Sequence, residues 1–245
     1  MKIGYIRSAW VLGANSDVAV SICKELAKKG CRKFFLISRN NIKIKKIANY
    51  LRETYKAEVD EKILDLTDFD NLDNTSFYEV KDFDLYLITA GYLGNNDLAM
   101  NNIHEAKKIL DSNFVGIVPW INAIISPERI KRKGCLWVFT SVASDRGRPS
   151  NYYYGSAKAG LQNFCEGLVA RCHGKQFSVR IIKAGYMATK MTIGKVPDFL
   201  CIKTSDVAKI LLRKPFKNGV EYLPWYWNPI MSLIKIFPNS LISKL

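Results

Sequence analysis

The stretch Leu12-Gly13-Ala14-Asn15-Ser16-Asp17-Val18-Ala19, entered from Ala9-Trp10-Val11, decides the fold. A short apolar run reads as a buried strand, and Gly13 supplies a tight turn. Val18, Ile22 and Leu26 then recur at helical spacing. The alternation continues outward. Phe34-Phe35-Leu36-Ile37 reads as a second strand, Ile42 to Tyr55 as a basic helix, and Ala57 to Leu64 contains a third strand. Leu85-Tyr86-Leu87-Ile88, Leu136-Trp137-Val138-Phe139 and Val179-Arg180-Ile181-Ile182 follow as strands four to six, with long helical patterns on both sides of the fifth. Fully apolar strands separated by helices indicate a parallel sheet covered on both faces.

The expected architecture is therefore α/β, a single Rossmann-type doubly wound parallel sheet with helices on both faces. With 245 residues, 48% hydrophobic and 24% charged, one domain with a large core fits better than two small ones, and disorder is excluded. No stretch reaches the ~18–20 apolar residues of a spanning helix. Met1 to Gly13 lacks a small-residue processing site and reads as the first strand rather than a signal peptide. The six cysteines show no C-x-x-C spacing, so reduced, buried thiols in a cytoplasmic protein are expected. Two histidines, His104 and His173, leave little material for a His-based metal site or a Ser-His-Asp triad; both read as ordinary surface or helix residues, and no metal is expected. The balance of 37 Lys and Arg against 22 Asp and Glu, net +15, attracts phosphates without choosing among their carriers.

In such a sheet, ligands bind beyond the carboxyl ends of the strands, where the first helix points its N-terminus at a phosphate. Gly13 gives the turn, and the amides of Asn15, Ser16, Asp17 and Val18 are expected to hold a pyrophosphate. Arg39, directly after the second strand, suits the 2′-phosphate of an adenosine ribose, whereas an acidic residue there would suit a 2′-hydroxyl. NADP is therefore favoured over NAD. Asp65 and Leu66 are placed to meet the adenine, and Ala90-Gly91 leaves bare backbone for close approach of the cofactor.

The chemistry falls on Ser141-Val-Ala-Ser-Asp-Arg-Gly-Arg-Pro-Ser-Asn-Tyr-Tyr-Tyr154-Gly-Ser-Ala-Lys158. Of three consecutive tyrosines, only Tyr154 has a lysine four positions on, one helical turn away on the same face. An ammonium so placed is expected to lower the phenol pKa from about 10, so that it can exchange a proton with a carbonyl or alcohol oxygen. Ser141, at the end of the fifth strand, is expected to hydrogen-bond the same oxygen. Pro119 deprives the Val115 carbonyl of its helical partner, so a kink is expected near Asn113, opening backbone to a water that extends a proton path from Lys158.

With these residues in place the chain resembles the short-chain dehydrogenase/reductases over essentially its whole length. The resemblance rests on Gly13, Asp65-Leu66, Thr89-Ala90-Gly91, Asn113, Ser141, Tyr154, Lys158 and Ala184-Gly185-Tyr-Met-Ala-Thr189. It implies hydride transfer between a nicotinamide and a substrate carbon, with Tyr154 as acid/base and Ser141 polarising the carbonyl. Lys158 would hold the nicotinamide ribose, Asn113 would position a relay water, and Gly185, Met187 and Thr189 would lie at the nicotinamide end. The family usually has glycines where this chain has Asp17 and Ala19, and proline where it has Ala184. Asp17 beside a pyrophosphate would be repulsive unless it points away or caps a helix.

The same departures, with Ser-Val-Ala, Arg-x-Arg-x-Ser-Asn-x-x-Tyr-Gly and a Pro-Trp…Trp ending, resemble the decaprenylphosphoryl-2-keto-pentose 2-reductases and related envelope-polysaccharide reductases. That similarity implies a keto-sugar on a polyprenyl phosphate or nucleotide, made by a separate flavin-dependent oxidase, and family analogy implies a homo-oligomer. Residues 1–224 form the expected dinucleotide-binding catalytic domain and 225–245 an apolar tail. In that tail Asn228 is the expected helix cap, Pro229 the first helical residue and Pro238 the stop. The tail combines Trp225, Trp227 and aliphatic residues with Lys235 and Lys244. It is expected either to touch the inner face of the membrane or to cover the substrate pocket or a subunit interface. Two other readings share these residues: a general carbonyl reductase of acyl or secondary-metabolite ketones, and a non-catalytic dinucleotide-binding protein. The charge also raises nucleic acid as a partner, but no recognisable module supports it.

Overall fold

The computed structural model describes residues 6–69, 80–190, 192, 194 and 196–243. The first residues of the Met1–Gly13 segment, and Lys244 and Leu245 of the tail, lie outside the described residues. Seven parallel strands form one sheet: β1 (Ser8–Leu12), β2 (Lys33–Ser38), β3 (Glu58–Ile63), β4 (Leu85–Ile88), β5 (Gly134–Ser141), β6 (Phe177–Ala184) and β7 (Gly219–Leu223). Their order is β3-β2-β1-β4-β5-β6-β7. The chain thus winds one way from β1 to β3 and back the other way from β4, which opens a crevice beyond the ends of β1 and β4.

The six expected strands are present. The seventh has no counterpart in the sequence pattern, because β7 is a short edge strand carrying Glu221 between half-exposed neighbours rather than an apolar run. β5 and β6, flanked by sheet and covered on both faces, are buried at seven of eight positions each. The edge strand β3 instead exposes Glu58 and Asp60, which discourages pairing with another chain.

One core cluster joins the sheet to helices α1 (Asp17–Lys28), α2 (Asn41–Tyr55) and α7 (Thr204–Arg213). On the opposite face, a second joins it to α5 (Val118–Ile124) and α6 (Tyr152–Arg171). Between β4 and α5 lie α3 (Asn96–Asn101), α4 (Ile103–Leu110) and a single π-helical turn at Asp111–Val115. There the Gly116 N–H reaches back five residues to the Asp111 carbonyl at 2.9 Å. The expected disruption before Pro119 therefore takes the form of a π-bulge.

The tail forms α8 (Trp227–Ile236) and α9 (Asn239–Ile242). Asn228 is not the cap: the helix begins two residues earlier than expected, with Tyr226 at the cap position and no side-chain cap bond. The turn after Leu223 already has helical form, with Trp227 N–H bonded to the Pro224 carbonyl, so a side-chain cap is displaced. Trp227 and Met231 are buried against Val142, and Tyr186 and Tyr222 pack around them. No helix among the described residues is long and apolar enough to cross a membrane. All six cysteines are free, five of them buried.

Candidate active site

At the crevice, Gly13 has a φ of +87°, and a Cβ there would sit 2.5 Å from the Ala90 nitrogen, so only glycine allows β1 and β4 to end this close together. Ser16 caps α1: its hydroxyl accepts from Ala19 N–H at 3.0 Å and donates to Thr89 Oγ1 at 2.9 Å. The Ser16 amide is not available to a phosphate, because it closes the turn onto the Gly13 carbonyl at 3.0 Å. The amides of Asn15, Asp17 and Val18 remain at the open end of the helix. Asn15 ties its amide group to the Asn40 carbonyl at 3.0 Å, while its own Oδ1 is buried without a partner.

Asp17 stands in the first turn of α1, where the family usually has glycine. Its carboxylate accepts the Lys190 backbone N–H at 2.9 Å and so fastens α1 to the loop after β6. Arg39 is exposed directly after β2, and its charge reaches Tyr92 across the crevice; burial and Glu105 nevertheless raise the Tyr92 phenol pKa. Asp65 commits Oδ1 to the Thr67 amide and hydroxyl, at 3.0 and 2.9 Å. The Leu66 carbonyl lies against Gly116.

Ser141 ends β5, and Tyr154 sits in the first turn of α6. Gly155 makes their meeting possible, since a Cβ there would lie 2.8 Å from the Ala143 carbonyl and push the helix off the turn after Ser141. Nothing in the local sequence pattern marks that glycine for this role. Burial pushes the Tyr154 phenol up to about 12, and a hydrogen bond with Ser141 pulls in the opposite direction. This corrects the expected depression by Lys158, whose Nζ lies 5.8 Å from the tyrosine ring centre. Here desolvation outweighs the ammonium's influence.

The Lys158 ammonium is itself buried, which lowers its pKa from 10.5 to about 8. It donates to the Phe139 carbonyl at 3.2 Å and the Ala90 carbonyl at 3.4 Å; with three donors, one remains for a further acceptor. Gly91 is where that acceptor would approach: a Cβ there would meet Asn113 Oδ1 at 2.8 Å and Lys158 Nζ at 3.3 Å. Asn113, in the π-turn and fully buried, clamps this backbone. Its Nδ2 donates to the Tyr92 and Ile109 carbonyls at 2.6 and 2.8 Å, and its Oδ1 accepts from Tyr92 N–H at 3.2 Å.

After β6, Gly185 packs directly under the Trp227 indole, leaving no room for a side chain. Met187 is 5% exposed, packs with the core cluster, and its backbone forms a short parallel bridge with Ile202. Thr189 is half-buried and under no such constraint; its amide donates to Thr192 Oγ1 at 3.1 Å.

A group that sequence reasoning did not find surrounds Asp145. Its buried carboxylate pairs with Lys183 of β6, accepts the Tyr222 hydroxyl at 2.9 Å and meets Lys235 of α8 at 3.1 Å. Neighbouring Arg146 donates to Asn239 Oδ1 at 2.7 Å. The segment after Ser141 thus anchors the tail. The available signal was a lysine inside the apolar run of β6.

A doubly wound parallel sheet with a glycine-lined crevice and a serine, tyrosine and lysine converging beside it defines a dinucleotide-binding α/β protein. Residues 7–198 match the short chain dehydrogenase family, and the chain belongs to that family of oxidoreductases. It is 32% identical over 155 residues to an uncharacterized oxidoreductase of Mycobacterium tuberculosis, a match spanning 62% of each chain and so less than two thirds of that relative. An uncharacterized oxidoreductase of Streptomyces coelicolor is 28% identical over 248 residues, covering 98% of this chain and 96% of its own. Among solved structures, a short chain dehydrogenase from Shigella flexneri complexed with NADP superposes with a TM-score of 0.75 at 19% identity, covering 88% of this chain and 95% of its own.

Proposed function

We propose that the chain is an NADPH-dependent reductase of a ketone. The observation that carries this reading is the Lys158 ammonium held between the Phe139 and Ala90 carbonyls, one turn from a Tyr154 phenol that meets Ser141. The crevice residues fit a dinucleotide. Gly13 and Gly91 provide cradles a Cβ would fill, the α1 N-terminus faces anions, and the orphaned Asn15 Oδ1 lacks only a donor. Arg39 would take a 2′-phosphate, and the Shigella relative was solved with NADP.

When bound, the dinucleotide supplies the hydride. Ser141 and Tyr154 then hydrogen-bond the substrate oxygen, and Tyr154, a neutral phenol across the physiological range, gives its proton as charge builds there. Lys158 has one donor left, which would hold the ribose of the bound dinucleotide, and its ammonium beside the phenol would support return of a proton to the phenolate. The further reading is a keto-sugar in surface-polysaccharide synthesis, carried on a polyprenyl phosphate or nucleotide and supplied by a separate flavin-dependent oxidase. It places a homo-oligomer in the cytoplasm with its tail at the membrane. The sequence motifs and the apolar outer face of α8 support it.

The test follows oxidation of NADPH with a panel of keto-sugars and simple ketones, for wild type and Tyr154→Phe. Turnover in wild type that falls by about 10²-fold or more in Tyr154→Phe, with NADPH affinity unchanged, is expected. Cofactor binding without turnover in either form overturns the reading.

A further inference from the structure

The excess positive charge has a focus far from the crevice. At the amino ends of β5, β6 and β7 the loops before these strands enclose a cleft of about 670 Å³, in the size range of roughly 300–1,000 Å³ typical of ligand sites. β6 alone separates it from the catalytic end by eight residues, roughly 23 Å at strand rise. Lys133, Lys175, Arg213, Lys214 and Lys217 line it, and among the described residues no acidic one does. Lys217 is paired with Glu221 from outside the lining. The carboxylates of the neighbouring crevice are engaged elsewhere: Asp82 by Arg129 and Arg132, Asp84 by the Arg7 and Ser8 amides.

The backbone is arranged for an anion. Carbonyls that would repel one are held by donors from the core: the Trp137 indole N–H takes Pro215 O at 2.8 Å, and Arg180 Nη1 takes Leu211 O and Lys214 O at 2.8 and 3.0 Å. Asn218 commits its oxygen to Val179 N–H at 2.9 Å, leaving its NH2 as a donor. Ser178, also in the lining, is 92% buried and its hydroxyl has no partner. A buried hydroxyl without a partner costs on the order of 1–3 kcal/mol, which a ligand acceptor or donor would relieve. The floor is apolar: Phe177 and Pro215 are buried, and the half-buried Phe216 ring lies 4.9 Å from the Lys133 ammonium, so a flat face and a cation stand side by side.

We propose that this cleft is a second ligand site for a nucleoside polyphosphate, its ring on the Phe216 floor and its phosphates on the lysine and arginine rim. Full-length protein saturated with NADPH, which closes the crevice to competing nucleotides, is titrated by calorimetry with ATP and separately with inorganic triphosphate. One ATP is expected per chain, bound about tenfold or more tighter than triphosphate and weakening as salt rises. The double variant Lys175→Glu/Lys214→Glu, altered only at exposed side chains, is expected to lose ATP binding by about tenfold or more while keeping its NADPH affinity and thermal midpoint. Absence of saturable ATP binding to wild type overturns the proposal, as does equal binding of triphosphate and ATP. ATP binding that survives in the charge-reversed variant overturns it too.

Discussion

Lys158 shows how a single residue trades stability for chemistry. Its folded-state pKa of about 8 lies below the ordinary 10.5, so between those values the unfolded chain holds a proton that the folded chain has released. Stability therefore rises with pH across that window, and below about 8 the cost of burying the ammonium is felt in full. Lys158→Met keeps the stem and removes the charge. Its thermal midpoint should lack the wild-type rise between about pH 8 and 10.5, because the variant has no proton to release there. The same variant should lose about 10²-fold or more in turnover, and wild-type reductive kcat/KM should decline as pH passes about 8 while the Tyr154 phenol stays protonated. Melting curves and pH profiles of both proteins check this. Asp17 is the second telling residue. Because its carboxylate holds the Lys190 amide, Asp17→Ala should release the loop after β6, raising the KM for the ketone several-fold without weakening NADPH; steady-state kinetics with NADPH saturating would show it. The spacing of Tyr154 and Lys158 was legible from sequence, since helical periodicity alone sets it. The balance between desolvation and charge was not, because it depends on what α6 is packed against.

Elements meet through glycines at this site, and close approach is a property that no local pattern announces. Gly116, just past the π-turn, lies under the Leu66 carbonyl, and a Cβ there would come within 2.2 Å of it. Its φ is an ordinary −72°, so contact between the two backbones is the whole constraint. Gly116→Ala should cost about 1–3 kcal/mol and displace the π-turn that carries Asn113. Gly167, exposed about one turn before the C-terminal end of α6, is the control, because a Cβ there would meet nothing within 4 Å; Gly167→Ala should stabilise by about 0.5–1 kcal/mol. Chemical denaturation of the two variants distinguishes packing from propensity. The central strands were readable because burial on both faces makes them continuous apolar runs. The edge strand β7 was not, since one open side tolerates Glu221 in the middle of the run and leaves Val220 exposed. Pro119 signalled a disturbed helix, but its form as a π-bulge emerges only when Asn113 is held by Tyr92 and Ile109.

At the scale of the molecule, the tail has two faces with different fates. The inner one is settled by packing: Met231 is fully buried, and Lys235 reaches the Asp145 carboxylate beside the turn that follows Ser141. Ile230, Leu233 and Ile236 recur every three residues on the outer face at 40%, 54% and 77% exposure, and Trp225 at the helix entrance is 77% exposed. An aromatic anchor, an aliphatic stripe and a chain of net charge +15 together suit the surface of an anionic bilayer. The triple variant Trp225→Ser/Leu233→Ser/Ile236→Ser leaves the inner contacts alone and should therefore fold and turn over a water-soluble ketone as wild type does. Wild type should pellet with liposomes containing phosphatidylglycerol and much less with purely zwitterionic ones, because apolar insertion and charge attraction both contribute; the variant should stay in the supernatant. Equal pelleting of the two proteins would remove the tail from membrane contact. A variant that instead runs as a smaller species by size-exclusion chromatography, with neither protein binding liposomes, would assign the same stripe to a second copy of the chain.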